Sequence, residues 1–332
     1  MTTNKETRAA PLLRVQSLGK IFEIRKGLSR TVAVQALNDA SFDVGHAEVV
    51  ALVGESGSGK STMAKLIARL LEPTSGKIIF KGEDILKTQA RRATRAFRSQ
   101  VQMIFQDPFG SLNPVYTLAH HIERPLLRHG KVAKGDPKAL RAAVLSLLET
   151  VGLTPAETFA SKYPHEASGG QRQRVAIARA LAVGPELILA DEPTSMLDVS
   201  LRIGVLNLLI ELKEKHGISF VYITHDLASA RYFADRTLVM YAGHIVEGAP
   251  SAKLMTAPAH PYTKLLLSAV PDPHGSINSE LAGKSGTPTL TDPPPGCPFA
   301  ARCPYVEDAC RQSMPPVREL GPDHFVRCHL DF

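Results

Sequence analysis

No stretch of the 332-residue chain reaches the roughly 18 consecutive apolar residues that a membrane-crossing helix needs. The opening residues MTTNKETRAAPLL hold no long apolar segment, so no secretory signal is expected and a cytoplasmic location follows by default. Internal repeats are absent from the sequence. There are four cysteines, too few for a disulfide scaffold, and thiols in that compartment are usually reduced. A hydrophobic fraction of 44% with 21% charged residues excludes global disorder. The length suits one large domain or two modest ones. Against 32 acidic residues stand 39 basic ones, a net +7, which leaves nucleic acid, an anionic membrane surface and phosphates open as partners. All four cysteines fall between residues 297 and 328, a clustering that asks for a cause.

The pattern along the chain is α/β. The first eleven residues read as a loose polar tail, and 12–44 as short strands separated by turns. EVVALV at 48–53 fits a buried parallel strand, and STMAKLIARLL at 61–71 carries helical periodicity. A turn and strand follow at 74–84. KTQARRATRAFR at 87–98 reads as a basic helix with five Lys or Arg and one aromatic, Phe97. Helices are expected over 138–151, about 168–182 and 201–217. Strands are expected at 186–191, 218–224 and on both sides of Ala242-Gly243. Strands alternating with helices predict a mainly parallel sheet. Residues 271–296, rich in Pro, Gly, Ser and Thr, read as a linker or arm before a compact cysteine-bearing tail.

Residues 54–61 read Gly-Glu-Ser-Gly-Ser-Gly-Lys-Ser, the GxxxxGK[ST] phosphate loop, set between a strand and a helix as its mechanism requires. Glycines let successive N–H groups curl around phosphate oxygens, and the helix adds its positive end. Gly54, Ser56, Gly57, Ser58, Gly59, Lys60, Ser61 and Thr62 are the candidate nucleotide contacts. Lys60 suits the β- and γ-phosphates, and the Ser61 hydroxyl suits Mg²⁺. Asp191-Glu192 closes a hydrophobic strand, which puts two carboxylates at the sheet edge where ligands of α/β folds bind. Asp191 suits Mg²⁺, directly or through water, and Glu192 suits polarisation of an attacking water.

Ala167-Ser168-Gly169-Gly170-Gln171, followed by Arg172-Gln173-Arg174, resembles the signature motif of ABC transporter ATP-binding subunits. The resemblance covers about residues 12–332. It implies a P-loop NTPase fold with a RecA-like parallel core, an antiparallel β subdomain and an α-helical subdomain, plus a C-terminal extension. It also implies ATP and Mg²⁺ as cofactors. Ser168, Gly169, Gly170 and Gln171 would meet the ATP held by a second subunit. Gln106 fits the Q-loop, where it would sense Mg²⁺ and γ-phosphate. Asp198, in Ser195-Met196-Leu197-Asp198, fits the D-loop, His225 the switch histidine, and Phe22 the aromatic that stacks on adenine. Two departures from the family are Ala167, where Leu is usual, and Met196, where Ala is commoner. Ser111-Leu112-Asn113-Pro114, His260-Pro261-Tyr262-Thr263 and the block from Gly296 to His329 resemble the dipeptide/oligopeptide importer branch.

The resemblance divides the chain into a tail (1–11), a nucleotide-binding domain (12–255, its helical part about 107–182) and an extension (256–332). It implies a second ATPase subunit (a copy or a related chain), two permease subunits and, indirectly, a solute-binding protein. The place is the cytoplasmic face of the cell membrane, and the reaction is ATP hydrolysis driving uptake of peptides or related small solutes. A metal-chelate or sugar cargo remains an alternative. A soluble nucleic-acid ATPase is the reading from another class. It is disfavoured because the stretch from Lys60 to Ser168 is too short for a coiled-coil arm and the basic segment offers no stacking platform. Cys297, Cys303, Cys310 and Cys328 have spacing that suits Zn²⁺ or an iron–sulfur cluster, though no C-x2-C knuckle is present; free thiols are the third option. The resemblance favours [4Fe–4S].

Overall fold

The computed structural model describes residues 10–26, 30–89, 92–269, 290–291 and 293–331. The expected tail therefore lies almost wholly outside the described residues, as does most of the expected linker.

Two sheets organise the chain. The larger has eight strands in the order β11-β12-β10-β9-β3-β8-β7-β6. In chain order these are β3 (Val49–Val53), β6 (Val101–Ile104), β7 (Leu187–Asp191), β8 (Ser219–Thr224), β9 (Arg236–Tyr241), β10 (His244–Pro250), β11 (Val317–Gly321) and β12 (His324–Arg327). Strands β9, β3, β8, β7 and β6 run parallel, and β10, β12 and β11 continue the sheet antiparallel. The smaller sheet is antiparallel, ordered β2-β1-β4-β5, with β1 at Leu13–Lys26, β2 at Arg30–Val44, β4 at Ser75–Phe80 and β5 at Glu83–Asp84.

The unbroken apolar runs are explained by burial on both faces of the parallel strands. Val49, Ala51 and Val53 enter one core with Ile188, Ala190, Phe220 and Tyr222, against the helices. Val50 and Leu52 enter the other with Leu189, Val221 and Met240, against the small sheet and the helix Lys60–Ile67. A helical subdomain is built from Leu118–Arg128, Pro137–Thr150, Ala156–Ser161 and Gly169–Leu181. Side chains start most of these: Thr117 accepts from His120 N–H, Asp136 from Ala139 N–H, and Ser168 from Gln171 N–H.

Three expectations need correction. Where several short strands are expected, Leu13–Lys26 and Arg30–Val44 are two long ones; local irregularities in their pairing absorb the turn-like residues, with Ser17 (φ 44°) and Asp39 (φ 48°) left-handed. The helix after the phosphate loop ends at Ile67, because Arg69 turns left-handed (φ 57°) and Leu70 N–H closes back on Lys65 O at 2.8 Å. The basic helix at 87–98 is instead two short helices, Ile85–Thr88 and Arg95–Gln100. Thr94 is the cause: its hydroxyl accepts from Phe97 N–H, starting a new helix. The C-terminal extension also joins the main sheet, since β12 pairs with β10.

Candidate active site

Four adjacent parallel strands, β3, β8, β7 and β6, deliver the candidate catalytic residues from their C-terminal ends. β3 leads into Lys60 and Ser61, β6 to Gln106, β7 into Asp191 and Glu192, and β8 to His225. Residues remote in sequence meet because consecutive strands of a parallel sheet end on the same edge.

Lys60 is buried and its ammonium donates to Gly54 O (2.6 Å), Glu55 O (2.9 Å) and Ser58 Oγ (3.3 Å). Burial lowers its pKa, while the carboxylates of Glu192, Asp191 and Glu55 push the other way. Gly57 and Gly59 have φ of 82° and 102°, left-handed values that curl the loop. Ser56 and Gly57 are exposed at the loop crest, and Thr62 is half-buried in the helix that follows.

Ser61 Oγ donates to Asp191 Oδ1 at 2.9 Å, so the two oxygen donors expected at Mg²⁺ are adjacent. Burial raises the Asp191 pKa, and Glu192 adds to the rise while the Ser61 hydrogen bond opposes it. A paired hydroxyl and carboxylate are the hard oxygen donors that suit Mg²⁺.

Glu192 is left-handed at φ 46°, and its N–H is held by Ile223 O at 2.9 Å. Such a backbone costs energy outside glycine and is characteristic of functional positions. Its Oε2 accepts from Gln106 Nε2 at 3.0 Å and lies 3.3 Å from His225 Nδ1. The three residues predicted to be catalytic thus share one carboxylate oxygen.

The signature residues lie apart from this edge. Ser168 is exposed at the start of the helix Gly169–Leu181 and forms a reciprocal capping box with Gln171, Ser168 N–H to Oε1 at 3.0 Å and Gln171 N–H to Oγ at 3.3 Å. Gly170 has a packing reason: a Cβ there would sit 3.1 Å from Leu201 Cδ1. Ala167 is buried. Asp198 caps the helix Val199–His216, accepting from Leu201 N–H at 3.0 Å. Met196, beside it, is exposed. Phe22 is half-buried on β1, with Lys20 Nζ 5.0 Å from its ring centre.

Two side chains outside the predicted set hydrogen-bond the loop. Tyr262 Oη accepts from Glu55 N–H at 2.9 Å. Arg302 donates two hydrogen bonds to the Glu55 carboxylate, at 2.8 and 2.9 Å. Both Tyr262 and Arg302 stand inside stretches that the resemblance marked, while Glu55 fills a variable position of the loop pattern; nothing in the spacing announced their contact.

Cys297, Cys303, Cys310 and Cys328 line one small cavity together with His260 and His329. Burial pushes the Cys297 thiol up to about 12 and raises Cys303 and Cys328. Among the described residues no group of three or more His, Cys, Asp or Glu side chains is arranged to hold a metal ion. The structure therefore gathers the four expected ligands without arranging them as a ligand set: Cys297 and Cys303 bracket one turn, Cys310 stands on the short helix Asp308–Gln312, and Cys328 follows β12.

Comparison with known proteins agrees with the edge just described. The ABC transporter family matches residues 37–195, and the oligopeptide/dipeptide transporter C-terminal region matches 246–310. The oligopeptide transport ATP-binding protein AppF of Bacillus subtilis is 43% identical, covering 98% of each chain. A putative peptide import ATP-binding protein of Brucella ovis is 44% identical over 97% of this chain and 98% of its own. Among solved structures, the dimeric ATP-binding cassette MJ0796, in a post-hydrolysis state bound to ADP and Pi, matches with TM-score 0.63 and 31% identity over 72% of this chain and 98% of its own. The part of the ABC transporter complex from Clostridium perfringens named cbiO1 matches with TM-score 0.61 and 26% identity, over 74% and 91%. The fold is that of a P-loop ATPase with an antiparallel subdomain and a helical subdomain, and the chain belongs to the ABC transporter ATP-binding subunits. It is an ATPase of that family, carrying the C-terminal region of the oligopeptide/dipeptide branch.

Proposed function

We propose that this chain hydrolyses ATP to energise an importer of peptides or related small solutes. The observation that carries the reading is the meeting of Lys60, Ser61, Asp191, Glu192, Gln106 and His225 at one sheet edge, in a chain whose C-terminal region is of the peptide-transporter type. Among the described residues no helix is long and apolar enough to cross a membrane. In this reading the chain is a peripheral subunit on the cytoplasmic face, bound to two permease subunits, with a solute-binding protein acting outside, as its likeness to peptide import ATP-binding proteins supports.

Gly54 to Thr62 hold the polyphosphate, with Lys60 supplying the cation at the β- and γ-phosphates. Ser61 and Asp191 hold Mg²⁺, which offsets phosphate charge when bound. Glu192 accepts a hydrogen bond from a water aligned on the γ-phosphate and polarises it as general base, and Gln106 and His225 fix its carboxylate for that task. Phe22 stacks on adenine. Ser168, Gly169, Gly170, Gln171 and Asp198 face the nucleotide of a second cassette, a copy or a related chain. The exposed Ser168 hydroxyl on a helix N-terminus supports that role.

Replacing Glu192 with Gln keeps hydrogen bonding to Gln106 but removes the base. ATP binding is retained, and turnover falls by about 10²–10⁴-fold. Steady-state ATPase assays beside nucleotide titration check this; unchanged turnover removes Glu192 from its role. The cluster or zinc ion at the four cysteines rests on the resemblance and on their shared cavity. Iron and zinc content of anaerobically prepared protein tests it.

A further inference from the structure

The phosphate loop is gripped from outside by the C-terminal extension. Residues 297–303 form a tight turn: Ala300 N–H bonds Cys297 O at 3.0 Å, and both Arg302 and Cys303 N–H bond Phe299 O at 2.9 Å. Phe299, 1% exposed, plugs this turn into a buried aromatic cluster, with ring centres 5.2 Å from Tyr241 and 5.4 Å from Tyr262. The plug aims Arg302 at the loop. Its guanidinium lies over the rings of Tyr241 and Phe299, also donates to Tyr241 Oη at 3.4 Å, and forks onto both carboxylate oxygens of Glu55. The Arg302 side chain is 14% exposed and the Glu55 side chain 38%, so the pair is partly covered while solvent and salt still reach the carboxylate.

Glu55 is thereby held at three points: its N–H by Tyr262, its carbonyl by Lys60 and its carboxylate by Arg302. It is also an anion on a loop whose task is to bind a more highly charged anion. We infer that Arg302 is a positioning residue for ATP binding, which neutralises the Glu55 carboxylate and, with Tyr262, locks the loop in its phosphate-accepting shape. The guanidinium touches neither Lys60 nor the Ser61–Asp191 pair directly, so it acts through Glu55. Planar two-point pairing explains why an arginine serves here. The inference rests on the loop being the ATP site and adds a C-terminal determinant of its affinity.

The experiment is a double-mutant cycle in the full chain, read by MgATP titration and steady-state ATPase rates. Arg302→Ala should raise the nucleotide Kd and KM about tenfold with kcat within twofold, because repulsion from Glu55 acts on binding. The loss should shrink as salt is added. Arg302→Lys, which keeps the charge without the fork, should recover part of the affinity. In a Glu55→Gln background, Arg302→Ala should cost less than twofold, since the charge to be neutralised is gone. A merely structural arginine would lose equally in both backgrounds and independently of salt. That outcome, or an unchanged Kd in Arg302→Ala, overturns the inference. A wild-type chain that binds no MgATP would overturn the site itself, which separates the two failures. Should Arg302→Ala unfold, the comparison of Arg302→Lys with Arg302→Lys in the Glu55→Gln background decides in the same way.

Discussion

Gly59 and Gly57 sit two residues apart in the same loop and answer to different constraints. Both are left-handed, at φ 102° and 82°. A Cβ on Gly59 would lie 2.5 Å from the backbone oxygen of Ala36 on β2, whereas one on Gly57 meets nothing within 4 Å. Gly59→Ala therefore costs about 2–3 kcal/mol and weakens nucleotide binding. Gly57→Ala carries only its backbone strain, about 1 kcal/mol. Thermal melts of the two variants check the difference; equal melting temperatures would contradict it. Glu192 shows the same logic from the other side. Its left-handed backbone is tolerated because Ile223 O, Gln106 and His225 all hold the residue in place. That the acidic pair ends a strand was legible from Leu187 to Glu192; that Gln106 and His225 converge on one of its oxygens was not, since those side chains come from separate strands.

Among the elements, β10 decides how the extension attaches. Its Glu247 is wholly buried and accepts from Ala259 N–H (2.8 Å) and His260 N–H (2.9 Å), and its Oε1 lies 2.9 Å from His324 Nε2 of β12. One carboxylate thus fastens the segment after the cassette and the last strand to the main sheet. Glu247→Ala leaves these donors unpaired and costs about 3 kcal/mol. Hydrogen exchange should show lost protection at Ala259, His260 and residues 324–327; protection equal to wild type would refute the attachment. The helices were legible where caps and periodicity agreed, as at Ser168 and Asp136. The segment 87–98 misleads because charge run and helix propensity are both local, while Phe97 is drawn into the core against Phe80, ring centres 5.6 Å apart, and Thr94 restarts the helix.

Across the folded chain, the buried His260 and the half-buried His244 contribute to the response to acid. Burial, reinforced by nearby Lys264, takes His260 down to about 3, and burial with Arg327 takes His244 down to about 4. Both are neutral when folded but gain a proton when unfolded, below about 6.5. Their contribution to stability is present above that value and is lost as pH falls from it toward 3–4. Melting temperature should therefore decline through this window, and His260→Asn should flatten the decline; an identical slope would contradict it. The net positive charge also acquires an internal use. Arg174 and Arg179 donate to Val151 O at 2.5 Å and Ser111 O at 2.6 Å, tying the helical subdomain together, so not all of the charge is a surface for anions.

The strand and helix alternation, the phosphate loop, the acidic pair and the signature run are all readable along the chain, because hydrogen-bond periodicity and loop chemistry are short-range. The length and charge admitted several partners, and those motifs narrowed them to phosphates. The joining of β12 to the sheet, the sharing of Glu192 by Gln106 and His225, and the grip of Arg302 on Glu55 across 247 positions are properties of the folded chain. Charge and hydrogen bonding act through space, and only packing brings such distant residues within their reach.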